Sequence, residues 1–202
     1  QYTLLEISDI QFEAKPFATS FVDGTRANGY LRYPANILNP NEGTVAMWII
    51  PLADLETTGA SAEIFFEANA GTTNRQQIQI WQEDGRWRAG IIGTGEQGGS
   101  SVWGDIPDNF PAGVPIFVTL AWKNVNSGQA NAEVKFYKNG SFLWGRTSVK
   151  IDLPQPTRLA VGSRAASSSY WANSLIDELL ILPYAATEEE IKGWYEAKGA
   201  FV

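Results

Sequence analysis

The chain has no cysteine and no histidine among its 202 residues. Without cysteine there is no disulfide and no thiolate nucleophile, which excludes a small stapled scaffold. Without histidine the commonest general base, the Ser-His-Asp arrangement and the usual zinc ligands are gone. Carboxylates, Lys, Tyr and Ser are what remains for catalysis. Basic residues are outnumbered by acidic ones, 15 against 22, for a net charge of −7. That disfavours nucleic acid and anionic membrane as partners and suits a neutral ligand or a hard cation. No apolar run approaches the roughly 20 residues a spanning helix needs, so membrane insertion is not expected. The N-terminus shows no recognisable signal peptide. A mature chain, a piece of a larger parent protein and a component exported by assembly into a particle are all open readings, and so is a homo-oligomer.

Hydrophobic residues make up 44% and charged residues 18%, the composition of a folded domain rather than a disordered one. No internal repeat and no linker divides residues 1–202, so a single domain is expected. Gly, Asn and Pro recur at short intervals with strand-like runs between them, a pattern that favours a β-sandwich. The expected strands are Leu4–Glu13, Gly29–Tyr33, Gly43–Leu52, Ala62–Ala68, Gln76–Gln82, Arg86–Ile92, Ile116–Asn124, Ala132–Lys138, Ser141–Arg146, Arg158–Gly162 and Leu175–Leu182. Gly93–Pro115, rich in Gly, Ser and Pro, reads as a long loop carrying Trp103.

Two hairpins are well marked. Asp84-Gly85 and Asn139-Gly140 are two-residue turn signals, because both positions tolerate positive φ. A two-residue loop pairs Glu83 with Arg86, Gln82 with Trp87 and Trp81 with Arg88. Side chains alternate between faces along a strand. Ile78, Ile80, Trp87, Ala89 and Ile91 then form a core face. Gln77, Gln79, Trp81 and Arg88 share the other face. The second hairpin pairs Tyr137 with Phe142, Phe136 with Leu143 and Lys135 with Trp144. Its non-core face would hold Lys135, Tyr137, Phe142 and Trp144.

The chain ends in a strand, Pro183, and a short helix. Thr187 can cap that helix and Glu190 can close a capping box. Ile191, Trp194 and Tyr195 fall on one face at helical spacing, and Gly199 ends the helix. A lone helix behind so many strands must dock on a sheet to bury that face.

Several segments stand together in a familiar order: GTVAMWIIPL (Gly43–Leu52), IFVTLAWK (Ile116–Lys123), AEVKFYKNGSFL (Ala132–Leu143), LAVGSR (Leu159–Arg164) and SLIDELLILPYAATEEEI (Ser174–Ile191). The set resembles the concanavalin A-like jelly roll in its bacterial laminin-G-like branch. The resemblance implies an all-β fold: two curved antiparallel sheets in a jelly-roll sandwich with a short C-terminal helix. It also implies a concave face that often binds carbohydrate, in extracellular modules of glycan-active enzymes, in surface adhesins or in phage fibres. On the last strand of this fold an Asp commonly helps to hold a structural calcium, and Asp177 occupies that place here. Glu13, Asp23 and Glu42 are candidate helpers.

Related glucanases carry two Glu flanking an Asp on one strand. The nearest match is Glu63-Ile-Phe-Phe-Glu67, with Phe65 where the central Asp should be. Four residues along a strand span roughly 13 Å, against the carboxyl separation of about 5–5.5 Å in a retaining site. A catalytic role is therefore not expected. Asn139-Gly140-Ser141 fits the glycosylation acceptor formally, but the hairpin turn accounts for it.

The leading expectation is a non-catalytic carbohydrate-binding or adhesive module that recognises a polysaccharide or cell-surface glycan. Sugars present apolar C–H faces that an exposed ring can cover, while nearby amides and charges take the hydroxyls. Trp81, Tyr137 and Trp144 are the candidate rings, with Gln77, Gln79, Arg88 and Lys135 as the polar groups. Trp103 and Trp171 could rim the same face. Trp48, Trp87, Trp122 and Trp194 read as core. Two other readings compete: a virion or cell-surface structural protein that uses the fold for protein contacts, and a divergent glycoside hydrolase.

Overall fold

Turns built on Asn, Asp and Gly cut the chain into strands, and the strands collect into two antiparallel sheets. A computed structural model describes residues 31–53, 62–71, 76–93, 101–106, 110–165 and 170–198. The expected strand Leu4–Glu13, the helix-ending Gly199 and the residues Glu13 and Asp23 lie outside this set. The strands are β1 (Leu31–Tyr33), β2 (Gly43–Pro51), β3 (Glu63–Asn69), β4 (Gln77–Glu83), β5 (Arg86–Ile92) and β6 (Ser101–Ile106). They continue with β7 (Ile116–Lys123), β8 (Ala132–Lys138), β9 (Ser141–Val149), β10 (Arg158–Val161) and β11 (Ser174–Leu182), before helix α1 (Glu188–Lys198). One sheet has six strands in the order β1-β10-β3-β4-β5-β6, and the other has five in the order β11-β2-β7-β8-β9. Late strands β10 and β11 sit beside early ones, so the end of the chain closes both sheets.

The apolar faces meet between the sheets. Phe65 stacks on Trp87 at 4.2 Å, and Trp87 stacks on Phe110 at 4.0 Å. Met47, Val118 and Phe136 from the five-stranded sheet complete this interior. The first hairpin is paired as its sequence demands, from Glu83↔Arg86 to Gln77↔Ile92. Asp84 and Gly85 have φ of 52° and 70°, the positive values a tight primed turn needs.

The second hairpin departs from expectation one residue after Tyr137↔Phe142. Phe136 pairs with Trp144, not with Leu143, because a β-bulge intervenes. A bulge adds one residue to one strand and shifts every later side chain relative to its partner. Trp144 is thereby turned inward and packs on the core with Leu143. Gly104 makes room for it: a Cβ there would come within 2.5 Å of the Trp144 ring. A further difference is β6, a strand within the stretch read as a loop.

The helix docks on the outer face of the five-stranded sheet. Ala46, Phe117, Ala121 and Tyr137 meet Ala186 and Ile191 in a second apolar cluster, with Trp48, Trp194 and Tyr195 packed against it. Trp48 and Trp194 belong here and not to the core between the sheets. The capping box is formed: Thr187 N–H donates to Glu190 Oε2 at 2.8 Å, and Glu190 N–H donates to Thr187 Oγ1 at 3.2 Å. The bond from the Thr187 backbone holds the Glu190 carboxyl below its ordinary range. Its contribution is therefore present above the unfolded carboxylate pKa and fades as pH falls through the folded one. Thr187→Ala is expected to cost about 1 kcal/mol, read as a lower midpoint in denaturant; an unmoved midpoint would show that tertiary docking alone holds the helix.

Candidate functional site

The outer face of the six-stranded sheet is built from β3, β4, β5 and β6. Cross-strand pairing lines up Glu67, Gln79, Gly90 and Trp103 in one row. Ile64, Trp81, Arg88 and Asp105 form the next row. These residues point away from the core because Ile78, Ile80, Ala89 and Ile91 alternate with them toward it.

A closed ring of hydrogen bonds organises the floor. Asn69 Nδ2 donates to Glu67 Oε1 at 3.3 Å and to Gln77 Oε1 at 3.2 Å. Gln77 Nε2 donates to Gln79 Oε1, and Gln79 Nε2 donates to Glu67 Oε2 at 3.3 Å. The backbone N–H of Ala165 also donates to Glu67 Oε1, at 3.1 Å. Glu67 and Asn69 are fully buried. A buried carboxylate is costly unless such donors surround it.

An ion-pair chain forms one wall. Arg88 Nε donates to Asp105 Oδ1 at 2.8 Å, Arg86 Nη1 donates to Asp105 Oδ2 at 2.6 Å, and Arg88 also pairs with Glu83. The Arg88 bond holds the Asp105 carboxyl below its ordinary range, against the opposing effect of burial. The Arg88 guanidinium also lies 5.6 Å from the centre of the Trp103 ring. On the opposite side the Arg164 guanidinium lies 4.9 Å from the centre of the Tyr170 ring. Between these walls is a cleft of about 290 Å³, lined among others by Gln77, Gln79, Trp81, Trp103, Arg164 and Tyr170.

The structure brings together four of the expected site residues: Gln77, Gln79, Trp81 and Arg88. Their exposure corrects the expectation. Trp81 is 6% exposed and Gln79 4%, so Trp81 is no open platform. Trp103 packs against it, with ring centres 5.8 Å apart. The open ring is Trp103, 43% exposed and carried by β6. Trp171 is similarly exposed and bridges to Ile64 beside the cleft.

The other expected residues lie elsewhere. Trp144 is between the sheets. Tyr137 is buried on the opposite sheet, and that burial raises its phenol above the ordinary value. Lys135 is on that side too, paired with Glu133, and lines a separate cleft of about 240 Å³ near the helix start. The Glu63–Glu67 pair is also corrected. A bulge between Ile64 and Phe66 pairs Glu63 with Gln82 and Glu67 with Gln79, which places the carboxylates on opposite faces of the sheet. Asp177 is exposed on β11, where its Oδ1 accepts the Glu178 N–H at 2.9 Å. Among the described residues, no group of three His, Cys, Asp or Glu side chains is placed to hold a metal ion.

Sequence reasoning missed Arg164 and Tyr170, which reach the cleft from the segment after β10. Nothing local distinguishes them. For Trp103 a signal existed: Val102 and Ile106 are buried while Trp103 and Asp105 are exposed, the period of a strand.

A two-sheet jelly roll with an amide-floored, aromatic-walled cleft on one outer face is the class this geometry defines. The chain belongs to the concanavalin A-like lectin/glucanases superfamily, whose laminin-G-type family model matches residues 23–192. A search of curated proteins found no match. Among solved structures, the CBM40 of the Ruminococcus gnavus IT-sialidase, bound to α2,3 sialyllactose, is similar. It shares 13% identity over 80% of this chain and 86% of that one, with a TM-score of 0.61. Domain 4 of AbnA, a GH43 extracellular arabinanase from Geobacillus stearothermophilus in complex with arabinotriose, shares 20% identity. It covers 80% of this chain and 70% of that one, with a TM-score of 0.53. The heptameric SAP-like pentraxin of Limulus polyphemus shares 16% identity over 81% and 73%, with a TM-score of 0.52. At these identities the likeness is one of fold. Among the described residues, no helix is long and apolar enough to cross a membrane.

Proposed function

We propose that this domain is a non-catalytic carbohydrate-binding module acting outside the cell, with its glycan on the outer face of the six-stranded sheet. One observation carries the reading: an exposed indole, Trp103, lines the same cleft as a floor of amides fixed by a buried carboxylate. The ring can cover the apolar face of a sugar. Each of Gln77 and Gln79 uses one amide N–H in the ring, leaving the second to meet a sugar hydroxyl. Preorganised polar groups beside an apolar surface are the usual composition of a ligand cleft. Two of the solved relatives hold saccharides on this fold, which supports the reading. The separation of Glu63 from Glu67 across the sheet argues against those two residues as a glycosidase pair.

Calorimetric titration against a panel of soluble plant, bacterial and host glycans tests it. Saturable binding to at least one glycan is expected, and silence across the panel would overturn the reading. A structural calcium at Asp177 is a separate proposal that rests on the sequence resemblance. Its check is thermal melting with and without a chelator, where an unchanged melting temperature removes it.

A further inference from the structure

The two guanidinium groups of the cleft are in different electrical states. Arg88 is neutralised, with Asp105 on its Nε and Glu83 on its Nη1. Arg164 is half-buried, and its contact with Tyr170 is through the ring face. Among the described residues it makes no hydrogen bond or ion pair, and its Nε is buried with no acceptor. The nearby carboxylate of Glu67 is already engaged on both oxygens, by Asn69, Gln79 and the Ala165 N–H.

An unpaired buried donor on a charged group is unfavourable in the free protein. A bound ligand is one way to satisfy such a group. The guanidinium fork presents parallel N–H donors that match a carboxylate bidentately, and the Tyr170 ring lies against it. A neutral hydroxyl can accept one of these bonds but cannot answer the charge.

Resting on the carbohydrate-binding reading above, we infer that the glycan of this cleft carries a carboxylate, which docks on Arg164. The ligand class is an acidic saccharide, a uronate or a sialate, although the chain as a whole is acidic. The local field decides, because an exposed charge more than a Debye length of about 8 Å away is largely screened at physiological salt. The net charge of −7 therefore does not exclude an acidic ligand at this one position.

The test uses matched pairs in calorimetric titration: oligogalacturonates against their methyl esters, and sialyllactose against lactose. In at least one pair the acid is expected to bind about tenfold or more tightly than its neutral partner, the increment of one charge-assisted hydrogen bond. Which pair responds identifies the uronate or the sialate. Arg164→Gln should bring that ratio to one, and Arg164→Lys, which keeps the charge and loses the fork, should leave it in between. Melting temperatures of both variants confirm folding. Equal binding of acid and neutral members would overturn the inference and leave the carbohydrate-binding reading in place. Binding of no saccharide at all would overturn both.

Discussion

Trp87→Ala is expected to lower the stability of the domain by about 3–5 kcal/mol, a large share of the roughly 5–15 kcal/mol typical of a folded domain. Trp87 is fully buried between Phe65 and Phe110, and both neighbours stack on it nearly parallel, at interplanar angles of 3° and 16°. Removing the indole leaves a cavity that two facing sheets cannot close, since each is held by its own ladder. Trp87→Phe should cost far less. It keeps a stacked ring and deletes an Nε1–H that is buried without an acceptor among the described residues. Urea unfolding of the two variants measures the difference. Equal costs for both would mean that the stacked ring kept by Trp87→Phe contributes nothing, and would contradict the packing account.

Trp103→Ala is expected to have the largest effect on ligand binding. If a sugar covers about 80 Å² of the indole, the transfer term of about 25 cal/mol per Å² amounts to about 2 kcal/mol, or roughly 30-fold in Kd. The ring is exposed on β6 near the sheet edge, so its removal leaves little cavity and should barely change the melting temperature. Trp81→Ala is a different experiment. That ring is nearly buried, and its loss should lower stability as well as binding. A Trp103→Ala variant that binds as tightly as the parent would move the sugar off this face.

The contrast between Trp81 and Trp103 shows what sequence could and could not reveal. Alternation along Gln77–Trp81 and the Asp84-Gly85 turn were enough to put Gln77, Gln79, Trp81 and Arg88 on one face, because a two-residue loop fixes register. Alternation reports which side of a sheet a residue faces, not whether something lies over it. Trp81 is shielded in part by Trp103, which comes from a strand surrounded by glycine and serine and so without strand punctuation. Arg164 reaches the cleft only through the placement of β10 beside β3, a contact between residues about a hundred positions apart.

The two bulges were illegible for another reason. A classic bulge needs no special residue, so neither Phe65 in β3 nor Leu143 in β9 advertises the extra position. One slipped register moved Trp144 from the surface to the core, and the other separated Glu63 from Glu67. The start of the terminal helix and its buried face were legible. The Thr187–Glu190 box and the apolar spacing of Ile191, Trp194 and Tyr195 are local signals, and the exposed apolar face of the five-stranded sheet gave them a docking place.

The most direct test of the glycan surface follows the indole N–H signals of the protein by NMR while a bound oligosaccharide from the panel is titrated in. The Trp103 and Trp81 signals should shift progressively and saturate, while those of Trp122 in the core and Trp194 under the helix stay in place. Saturable shifts confined to Trp48 and Trp194, with Trp103 unmoved, would place the ligand on the helix-bearing sheet and contradict the assignment.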